Sequence, residues 1–422
     1  MRVCLFEDRA VLDLEPLTLT RPAFELLCGL SSLAAKQCRY FSASDNGALV
    51  RPHLADICRL HHPALAVNDL SWLRAGPTIL VNGRWLPPAG KAVCGDTPGV
   101  AMIGDEIAYA VVGPEHLVYC STNTLEDCIA SWKAVLPHRE AGGRLFRHLW
   151  EIVEESPRQA IADLRQAPVE FPKSATPLAL FGPGDRLAVH PSARVEPFVL
   201  ADTSGGPVVI SAGAVVTSFT RIEGPCFVGP GTHLLGAKVK ASTIGPHCRI
   251  GGEVESTVIQ GYTNKAHDGF LGHAYVGEWV NLGAGTQCSD LRNDYGEVRV
   301  AVGGIPVRTG QTKVGCFLGD HTKTGIGTLL NTGSSVGAFC QLLPGGLLPR
   351  YLPSFASWWN GSLADRADVA ALLSTSATVM RRRGREFTEI HASLYRSVFE
   401  QTAAQRRRVV RDAEVRRLRR TA

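Results

Sequence analysis

A six-residue repeat in the second half of the chain constrains the fold more than any other feature. Aliphatic residues recur every six positions, as at Ile222, Val228 and Leu234, and glycine often follows directly. A short fixed period is typical of a β-solenoid, in which each hexad forms one flat side of a triangular coil, the aliphatic side chain points inward and glycine accepts the tight corner. The repeat predicts a parallel β-helix over residues 187–348. The predicted inward positions are Val189, Val195, Ile222, Val228, Leu234, Ile244, Ile250, Phe270, Val276, Leu282, Leu318, Thr324, Leu330 and Val336.

The part of the chain before the repeat predicts an α/β domain over residues 1–175. Its predicted elements are strands at 3–6 and 78–81, a hairpin over 100–112, a helix capped by Thr124 and a second helix from Leu145. The breakers Pro177 and Gly182 then predict a domain boundary before the β-helix.

The last part of the chain predicts C-terminal helices with a basic end over residues 360–422. Helical periodicity is present over 363–374 and 387–398. The arginines at the end are Arg406, Arg407, Arg408, Arg411, Arg416, Arg417, Arg419 and Arg420. A solvated helix or frayed tail accounts for this run, and an anionic partner is the alternative. Because no aromatic residues are interleaved, we do not expect a nucleic-acid partner.

Composition predicts a soluble cytoplasmic protein. The net charge is only +5, so the body of the chain does not favour a polyanionic partner. The 12 cysteines show no CxxC spacing, which indicates free thiols and neither a disulfide framework nor a metal site. The short apolar start soon becomes charged, so we expect no signal peptide, and no apolar run approaches the ~18 residues of a membrane span.

The densest polar cluster lies on two consecutive hexad coils, over residues 264–272 and 281–286. His267 and Asn281 flank predicted inward residues, so their side chains are expected to face outward into the cleft between neighbouring solenoids. A histidine there can take a proton from an amine or hydroxyl that attacks a thioester. Asn281 would orient the acceptor, and the N–H of Ala284 would stabilise the oxyanion. The alternative for His267 is an ordinary surface histidine.

The segment from His267 to Thr286 resembles the acetyltransferase half of the bifunctional N-acetylglucosamine-1-phosphate uridylyltransferase/glucosamine-1-phosphate acetyltransferase family. In that family a His, a Tyr three residues later and an Asn fourteen residues after the His line the acetyl-transfer site, and they correspond to His267, Phe270 and Asn281. Phe270 lacks the hydroxyl that touches the acceptor. The family's left-handed hexapeptide-repeat β-helix and its homotrimer are what the resemblance implies for this chain.

A less characterised branch of sugar nucleotidyltransferases of that type is similar over most of the chain. The motifs that resemble it lie at 17–22, 264–272, 283–286, 319–326, 331–333 and 352–355. In this fold the acyl donor runs between subunits near late coils, so Lys323 is expected to meet a phosphate of coenzyme A or of the acceptor. Lys265, Asn293 and Tyr295 are further candidates for substrate or acyl-CoA binding.

The N-terminal part departs from the nucleotidyltransferase pattern at two places. The family's Gly-rich phosphate loop is missing after the first strand, and its Mg²⁺-binding Asn-Gly-Asp is here Asn82-Gly83-Arg84. Arginine cannot ligate a metal, but it can bind a phosphate. Arg9, Arg21 and Arg84 are therefore predicted nucleotide or phosphate ligands, with surface arginines as the alternative.

Three hypotheses remain from the sequence. The first is an acyltransferase that moves an acetyl group from acetyl-CoA to an amino or hydroxyl sugar phosphate, with His267 as general base. The second is a sugar-1-phosphate nucleotidyltransferase, alone or bifunctional, that uses a nucleoside triphosphate and, if active, Mg²⁺. The third is a non-enzymatic trimeric scaffold or sugar-nucleotide sensor.

Overall fold

The computed structural model describes residues 2–92, 97–166 and 178–421, with side chains as far as Val415. The predicted basic positions Arg416, Arg417, Arg419 and Arg420 lie outside the described side chains. The chain divides into two compact units. The first comprises Met1–Leu14, Thr20–Leu26 and Ser31–His148, and the second comprises Glu15–Leu19, Leu27–Leu30 and Leu149–Ala422. The division therefore falls at residue 148, whereas the sequence placed a boundary near residue 175, and the predicted domain limits stay predictions.

The first unit is built on a seven-stranded mixed sheet. In spatial order its strands are His138–Glu140, Gly99–Ile103, Glu106–Val112, Thr78–Asn82, Arg2–Phe6, Asp45–Leu49 and Ala66–Val67. Strand Arg2–Phe6 pairs in parallel with both of its neighbours, and the predicted hairpin over 100–112 is present as an antiparallel pair. A small antiparallel pair joins Trp85–Leu86 to Arg144–Leu145. Leu145 therefore begins no helix, contrary to the prediction.

Four α-helices belong to the first unit. They are α1 Leu33–Tyr40, α2 Ala55–His61, α3 Leu70–Arg74 and α4 Leu125–Val135, with 3-10 turns at Arg9–Leu14, Ala23–Glu25, Pro52–Leu54 and Pro114–His116. Thr124 precedes α4 as predicted, but it makes no side-chain cap hydrogen bond to the helix. Its hydroxyl instead donates to the carbonyl of Tyr119. The apolar side of α4, with Leu125 and Trp132, packs into the core above the sheet.

The second unit contains three long parallel sheets, which are consistent with a parallel β-helix. We call them faces A, B and C in the order in which the chain meets them. Face A has Leu178–Phe181, Val199–Asp202, Arg221–Glu223, Lys238–Lys240, Glu253–Glu255 and Phe270–Gly272, and a three-stranded sheet of Gln287–Cys288, Thr328–Leu330 and Gly346–Leu347 follows it. Face B has Leu187–Val189, Val208–Ile210, Cys226–Val228, Thr243–Ile244, Val258–Gly261, Tyr275–Glu278, Cys316–Leu318, Ser334–Val336 and Tyr351–Leu352.

Face C consists of two sheets that isolated bridges connect. Its strands are Arg194–Val195, Val215–Val216, His233–Leu234, Arg249–Ile250 and Asn264–Lys265, then Lys323–Thr324, Gln341–Leu343, Ala356–Trp359 and the antiparallel Ser362–Asp365. Bridges from Asn264 to Asn281 and from Asn281 to Lys323 carry the register across the gap. Residues 363–365 are thus a strand, whereas the sequence predicted a helix there. That the coil is left-handed stays a prediction.

Inward residues of the three faces form one apolar core. Thirteen of the fourteen predicted positions point that way, and twelve of them are in the core cluster, with Thr324 buried beside it. Phe270 is the exception, because the inward residue of its strand is Leu271. In a strand a shift of one residue exchanges the two sides, so Phe270 faces outward.

Rings stack along the corner between faces B and C. His247, Tyr262, Trp279, His321, Phe339 and Phe355 follow one another with centroid separations of 5.1, 4.2, 6.1, 4.7 and 4.7 Å. All six have positive φ, between 52° and 60°, a conformation that side chains other than Gly, Asn and Asp seldom adopt. We call this row the aromatic ladder.

The C-terminal helices pack on the aromatic ladder. They are α6 Val369–Arg381, α7 Glu389–Gln401 and α8 Ala403–Thr421, and α5 is the earlier helix Leu149–Gln166. From α7, the hydroxyl of Tyr395 lies 3.0 Å from Nε2 of His321, and Phe399 meets Phe355 edge-on at 5.2 Å. The guanidinium of Arg406 in α8 lies 4.2 Å from the ring of Phe399 and forms an ion pair with Asp365. One arginine of the predicted basic tail therefore has a structural role.

Helix α5 also packs within the second unit. The hydroxyl of Ser156 accepts the N–H of Gly29 at 2.9 Å and lies 3.0 Å from the hydroxyl of Thr243 on face B. Thr243 in turn donates to the carbonyl of Gly29 at 2.9 Å. These bonds fix the helix to the outside of face B.

Two simpler predictions concern thiols and membranes. The cysteines within the described residues are free, and all but Cys38 and Cys128 are buried. Of the helices that the structure describes, none combines the length and the apolar character of a membrane span.

Candidate functional site: an outward polar column on face C

The outward residues of face C form a polar column on successive coils. Arg249, Asn264, Asn281 and Lys323 are register partners in that order. Side chains of a strand alternate between its two sides. Because Ile250 and Leu282 are in the core, the residues that precede them face outward. Within the column, Nδ2 of Asn264 donates to Oδ1 of Asn281 at 2.9 Å.

Lys323 follows Asn281 on the column, and a second cation lies near it. Its ammonium donates to the carbonyl of His321 at 3.1 Å, and burial together with the charge of Arg366 lowers the pKa of Lys323 to about 8. Arg366 donates to the carbonyl of Phe339 at 3.2 Å. Neither cation forms an ion pair among the described residues. The structure thus adds Arg366 to the candidate site. Sequence reasoning missed it because it lies in the C-terminal segment, far from the repeat.

His267 and Ala284 lie on the corner that follows face C, on consecutive coils. His267 is exposed, and it comes two residues after Lys265, just as Ala284 comes two residues after Leu282. The N–H of Gly285 donates to the carbonyl of Asp268 at 3.0 Å, and the carbonyl of Ala284 accepts the N–H of Gly327 at 2.8 Å. The structure therefore brings His267 and Ala284 to the same corner, beside the face that carries Asn281.

Lys265 lies inside the coil, although the sequence suggested a substrate ligand. It is 2% exposed and occupies the inward position between Ile250 and Leu282. Its ammonium donates to the carbonyls of Gly251 at 2.8 Å and His267 at 3.1 Å, and burial lowers the pKa of Lys265 to about 8. Those bonds hold the corner that carries His267, so Lys265 supports the site without facing it.

Asn293 and Tyr295 lie on an excursion from the coil and not on the polar column. The excursion leaves after the strand Gln287–Cys288 and returns at Cys316 on face B, so it does not depart from face C. It contains the hairpin Arg299–Val302 and Ile305–Arg308. Both residues are exposed, and within this chain they are not gathered with Asn281 and Lys323.

Arg84 in the first unit is not available to a phosphate, which corrects the prediction. It is 0% exposed, and its guanidinium donates to Asp8 Oδ1 at 2.8 Å, Glu106 Oε2 at 2.6 Å and the carbonyl of Phe146 at 2.8 Å. Burial lowers the pKa of Arg84, but the two carboxylates outweigh it and the pKa is raised. A buried cation requires such partners, so Arg84 is a structural ion-pair centre.

Arg9 and Arg21 do not join Arg84 in a phosphate site. Arg9 is exposed, and its backbone N–H donates to Glu126 Oε1 at 2.6 Å. Arg21 is 5% exposed, and its carbonyl accepts a bond from Arg51 at 3.4 Å. The three arginines therefore present no common exposed surface.

The residues around Arg84 do not fit the Mg²⁺ ion that a nucleotidyltransferase of this type would use. Asp8 and Glu106 would be the oxygen donors, but the guanidinium of Arg84 is already between them. Among the side chains that the structure describes, no group of three or more His, Cys, Asp or Glu residues is arranged to hold a metal.

Comparison with known proteins places the first part of the chain. Residues 3–167 match the family model described as sugar nucleotidyl transferase. That region is a sugar nucleotidyl transferase domain by sequence. The match confirms the resemblance found in the sequence, although Arg84 lies where a metal-binding Asp is expected.

The curated relatives are bifunctional proteins. A bifunctional sugar-1-phosphate nucleotidylyltransferase/acetyltransferase of Sulfurisphaera tokodaii is 37% identical over 98 residues, which are 23% of this chain and 24% of that protein. The bifunctional protein GlmU of Gloeothece citriformis is 31% identical over 164 residues, 38% of this chain and 31% of the relative. That of Synechococcus elongatus is 30% identical over 143 residues, 33% and 27% of the two chains. The matches thus span about a quarter to a third of the relatives' length.

Proposed function

We propose that the second unit is an acetyl-CoA-dependent acyltransferase whose acceptor is the amino or hydroxyl group of a sugar phosphate. The observation that carries the proposal is the polar column Asn264–Asn281–Lys323 beside the corner with His267 and Ala284. The names of the relatives, which include acetyltransferase, support the same reaction.

In the proposed reaction His267 is the general base. Its imidazole takes a proton from the acceptor as the nitrogen or oxygen bonds to the thioester carbon. The carbon–sulfur bond then breaks, and coenzyme A leaves as a thiol after it is protonated. Asn281 orients the acceptor, and the N–H of Ala284 stabilises the oxyanion of the intermediate.

The site needs a second molecule to form its other wall. Within one chain the polar column lies on an outer face, and Asn293 and Tyr295 are exposed on an excursion at another corner. A left-handed coil in a homotrimer would place one subunit's excursion against the next subunit's face C. Light scattering coupled to size exclusion tests this assembly, and a monomer at micromolar concentration would contradict it.

A thiol-release assay tests the acyl transfer. Wild-type protein is incubated with acetyl-CoA and a panel of hexose and hexosamine phosphates, beside His267→Ala and the control His190→Ala, which removes a histidine from the first coil. We expect release by wild type and control, and a loss of about 100-fold or more in His267→Ala. Equal rates for wild type and His267→Ala, or no release with any acceptor, would overturn the proposal.

Nucleotidyl transfer is the second candidate because residues 3–167 match the sugar nucleotidyl transferase family. The geometry around Arg84 argues against a metal-dependent version of it. Pyrophosphate release from nucleoside triphosphates and sugar 1-phosphates, with and without Mg²⁺, separates the two candidates. A protein silent in both assays that is still a trimer would favour the non-enzymatic scaffold or sensor.

A further inference from the structure

Face C continues below Asn264 as a row of cations. His233 and Arg249 are register partners on consecutive coils, and Arg249 is in turn the register partner of Asn264. One guanidinium nitrogen of Arg249 donates to the carbonyls of Gly231 at 3.2 Å and Cys248 at 3.0 Å. These bonds to backbone hold the group against the face and neutralise none of its charge.

The segment between α6 and α7 brings two further arginines to this end of face C. The guanidinium of Arg385 lies 5.4 Å from the ring of Tyr262, which stacks on His247 at 5.1 Å. Arg383 lies two residues earlier and is half-buried. Burial and the charge of Arg383 lower the pKa of Arg249, and burial together with nearby arginines lowers the pKa of His233 and of His247. The cations are therefore close enough to repel one another.

No carboxylate neutralises this cluster. Among the residues that the structure describes, Arg249, Arg383 and Arg385 form no ion pair, whereas elsewhere on the solenoid Arg194 pairs with Glu196, Arg221 with Glu223 and Lys240 with Glu255. Half-buried like charges held together at a cost are typical of a site whose counter-ion is a ligand. Guanidinium groups bind phosphate oxygens with paired, charge-assisted hydrogen bonds.

We propose that Arg249 and Arg383 form a phosphate-binding subsite for the acceptor, so that the acceptor class is a phosphorylated sugar. The proposal rests on the acyl transfer proposed above. Adjacent parallel strands are about 4.8 Å apart, so Arg249 lies about 5 Å from Asn264 and about 10 Å from Asn281 along the column. A phosphorylated hexose spans that distance and would place its amino or hydroxyl group at Asn281 and His267.

The phosphate on the ribose of the acyl donor is the other source of the same chemistry. In an extended donor that phosphate lies much farther from the thioester than Arg249 lies from Asn281. Lys323 and Arg366, on the opposite side of Asn281, are the cations that remain for the donor. The two ends of the column would thus bind the two substrates.

Calorimetric binding without turnover tests the subsite. The full chain is titrated with a hexosamine phosphate and with the unphosphorylated hexosamine, as wild type, Arg249→Gln/Arg383→Gln and the control Arg221→Gln from face A. We expect the double variant to bind the phosphorylated sugar about 10- to 100-fold more weakly, while the control binds as wild type does. Unchanged affinity in the double variant, or equal affinity of wild type for both sugars, would overturn the assignment.

A second pair of probes separates acceptor from donor. Acetyl-CoA and its analogue without the ribose phosphate are titrated into the same proteins. If the double variant weakens acetyl-CoA but not the analogue, the phosphate belongs to the donor and the acceptor assignment is wrong. Arg383→Gln alone covers the case in which loss of the Arg249 bonds unfolds the protein, with about a tenfold loss expected. Phosphate-dependent binding without thiol release would overturn the acyl transfer and leave the subsite intact.

Discussion

Asn264 donates its side-chain amide to the side-chain carbonyl of Asn281 across 2.9 Å, and so joins two consecutive coils on the outer side of face C. Lys323 continues the same register one coil later. The pair fixes which end of the Asn281 amide points away from Asn264. The remaining N–H groups of Asn281 are thereby oriented for an acceptor, which is the geometry on which the proposed reaction depends.

Asn281→Ala is expected to lower kcat/KM for acetyl transfer by about 100-fold, because removal of one oriented polar group at a reacting centre costs that much. The melting temperature should change by less than about 3 °C, since the residue is half-exposed and its backbone bonds remain. Steady-state kinetics and thermal unfolding measure both quantities. Asn331→Ala, which removes an amide elsewhere on the solenoid, is the control, and an equal loss of activity in it would contradict the role of Asn281.

Arg84→Met is expected to destabilise the first unit by about 3–5 kcal/mol, because it leaves Asp8 and Glu106 without their buried counter-ion. Arg147→Met removes the other partner of Glu106, but that side chain is 66% exposed, and it should cost less than about 1 kcal/mol. Urea unfolding of both variants gives the comparison. Equal costs would show that Arg84 is not the centre of the ion-pair cluster.

Lys265 predicts a pH dependence of stability. Burial holds its pKa at about 8 in the folded protein, below the ~10.4 of an unfolded lysine. Between these values the unfolded chain binds the extra proton, so the free energy of unfolding rises with pH over this window. From pH 7.5 to 10.5 the rise should be greater in wild type than in Lys265→Met by roughly 3 kcal/mol. Lys323 is present in both proteins and cancels, and parallel curves would contradict the burial of a charged Lys265.

The repeat predicted the core of the solenoid because an inward aliphatic at a fixed period is a local property of the sequence. Phe270 was misplaced by one residue, since His267 and Gly269 widen the corner before it and the pattern alone cannot count that extra length. Lys265 was placed outside because hydrophobic periodicity assigns charged residues to the surface. Its two carbonyl acceptors, on Gly251 and His267, become visible only when the coils are stacked.

Contacts between residues distant in sequence were beyond the pattern. The aromatic ladder escaped notice because the excursion separates Trp279 from His321 by 42 positions, which hides the regular stacking. The partners of Arg84 come from three segments of the first unit, so the local motif suggested an available cation where the fold buries one. For the candidate site, the sequence identified Asn281 and Lys323 but not Arg366 or Arg249.

Trp279 tests the aromatic ladder. It is 6% exposed and stacks on Tyr262 at 4.2 Å, so Trp279→Ala should cost about 3–5 kcal/mol. Its φ of 60° disfavours alanine more than glycine. Trp279→Gly should therefore be less destabilising than Trp279→Ala by about 1 kcal/mol, the reverse of the usual order. Chemical denaturation measures the difference, and a glycine variant weaker than the alanine variant would contradict the conformational argument.

Transfer of a labelled acetyl group tests the central claim most directly. Acetyl-CoA labelled with ¹³C in the acetyl group is incubated with the protein and hexosamine phosphates, and the sugar is analysed by mass spectrometry. We predict a labelled N- or O-acetyl sugar phosphate with wild type and with His190→Ala, and almost none with His267→Ala. Label in the sugar at equal rates with and without His267, or no labelled sugar with any phosphorylated acceptor, would contradict the assignment of acetyl transfer to face C.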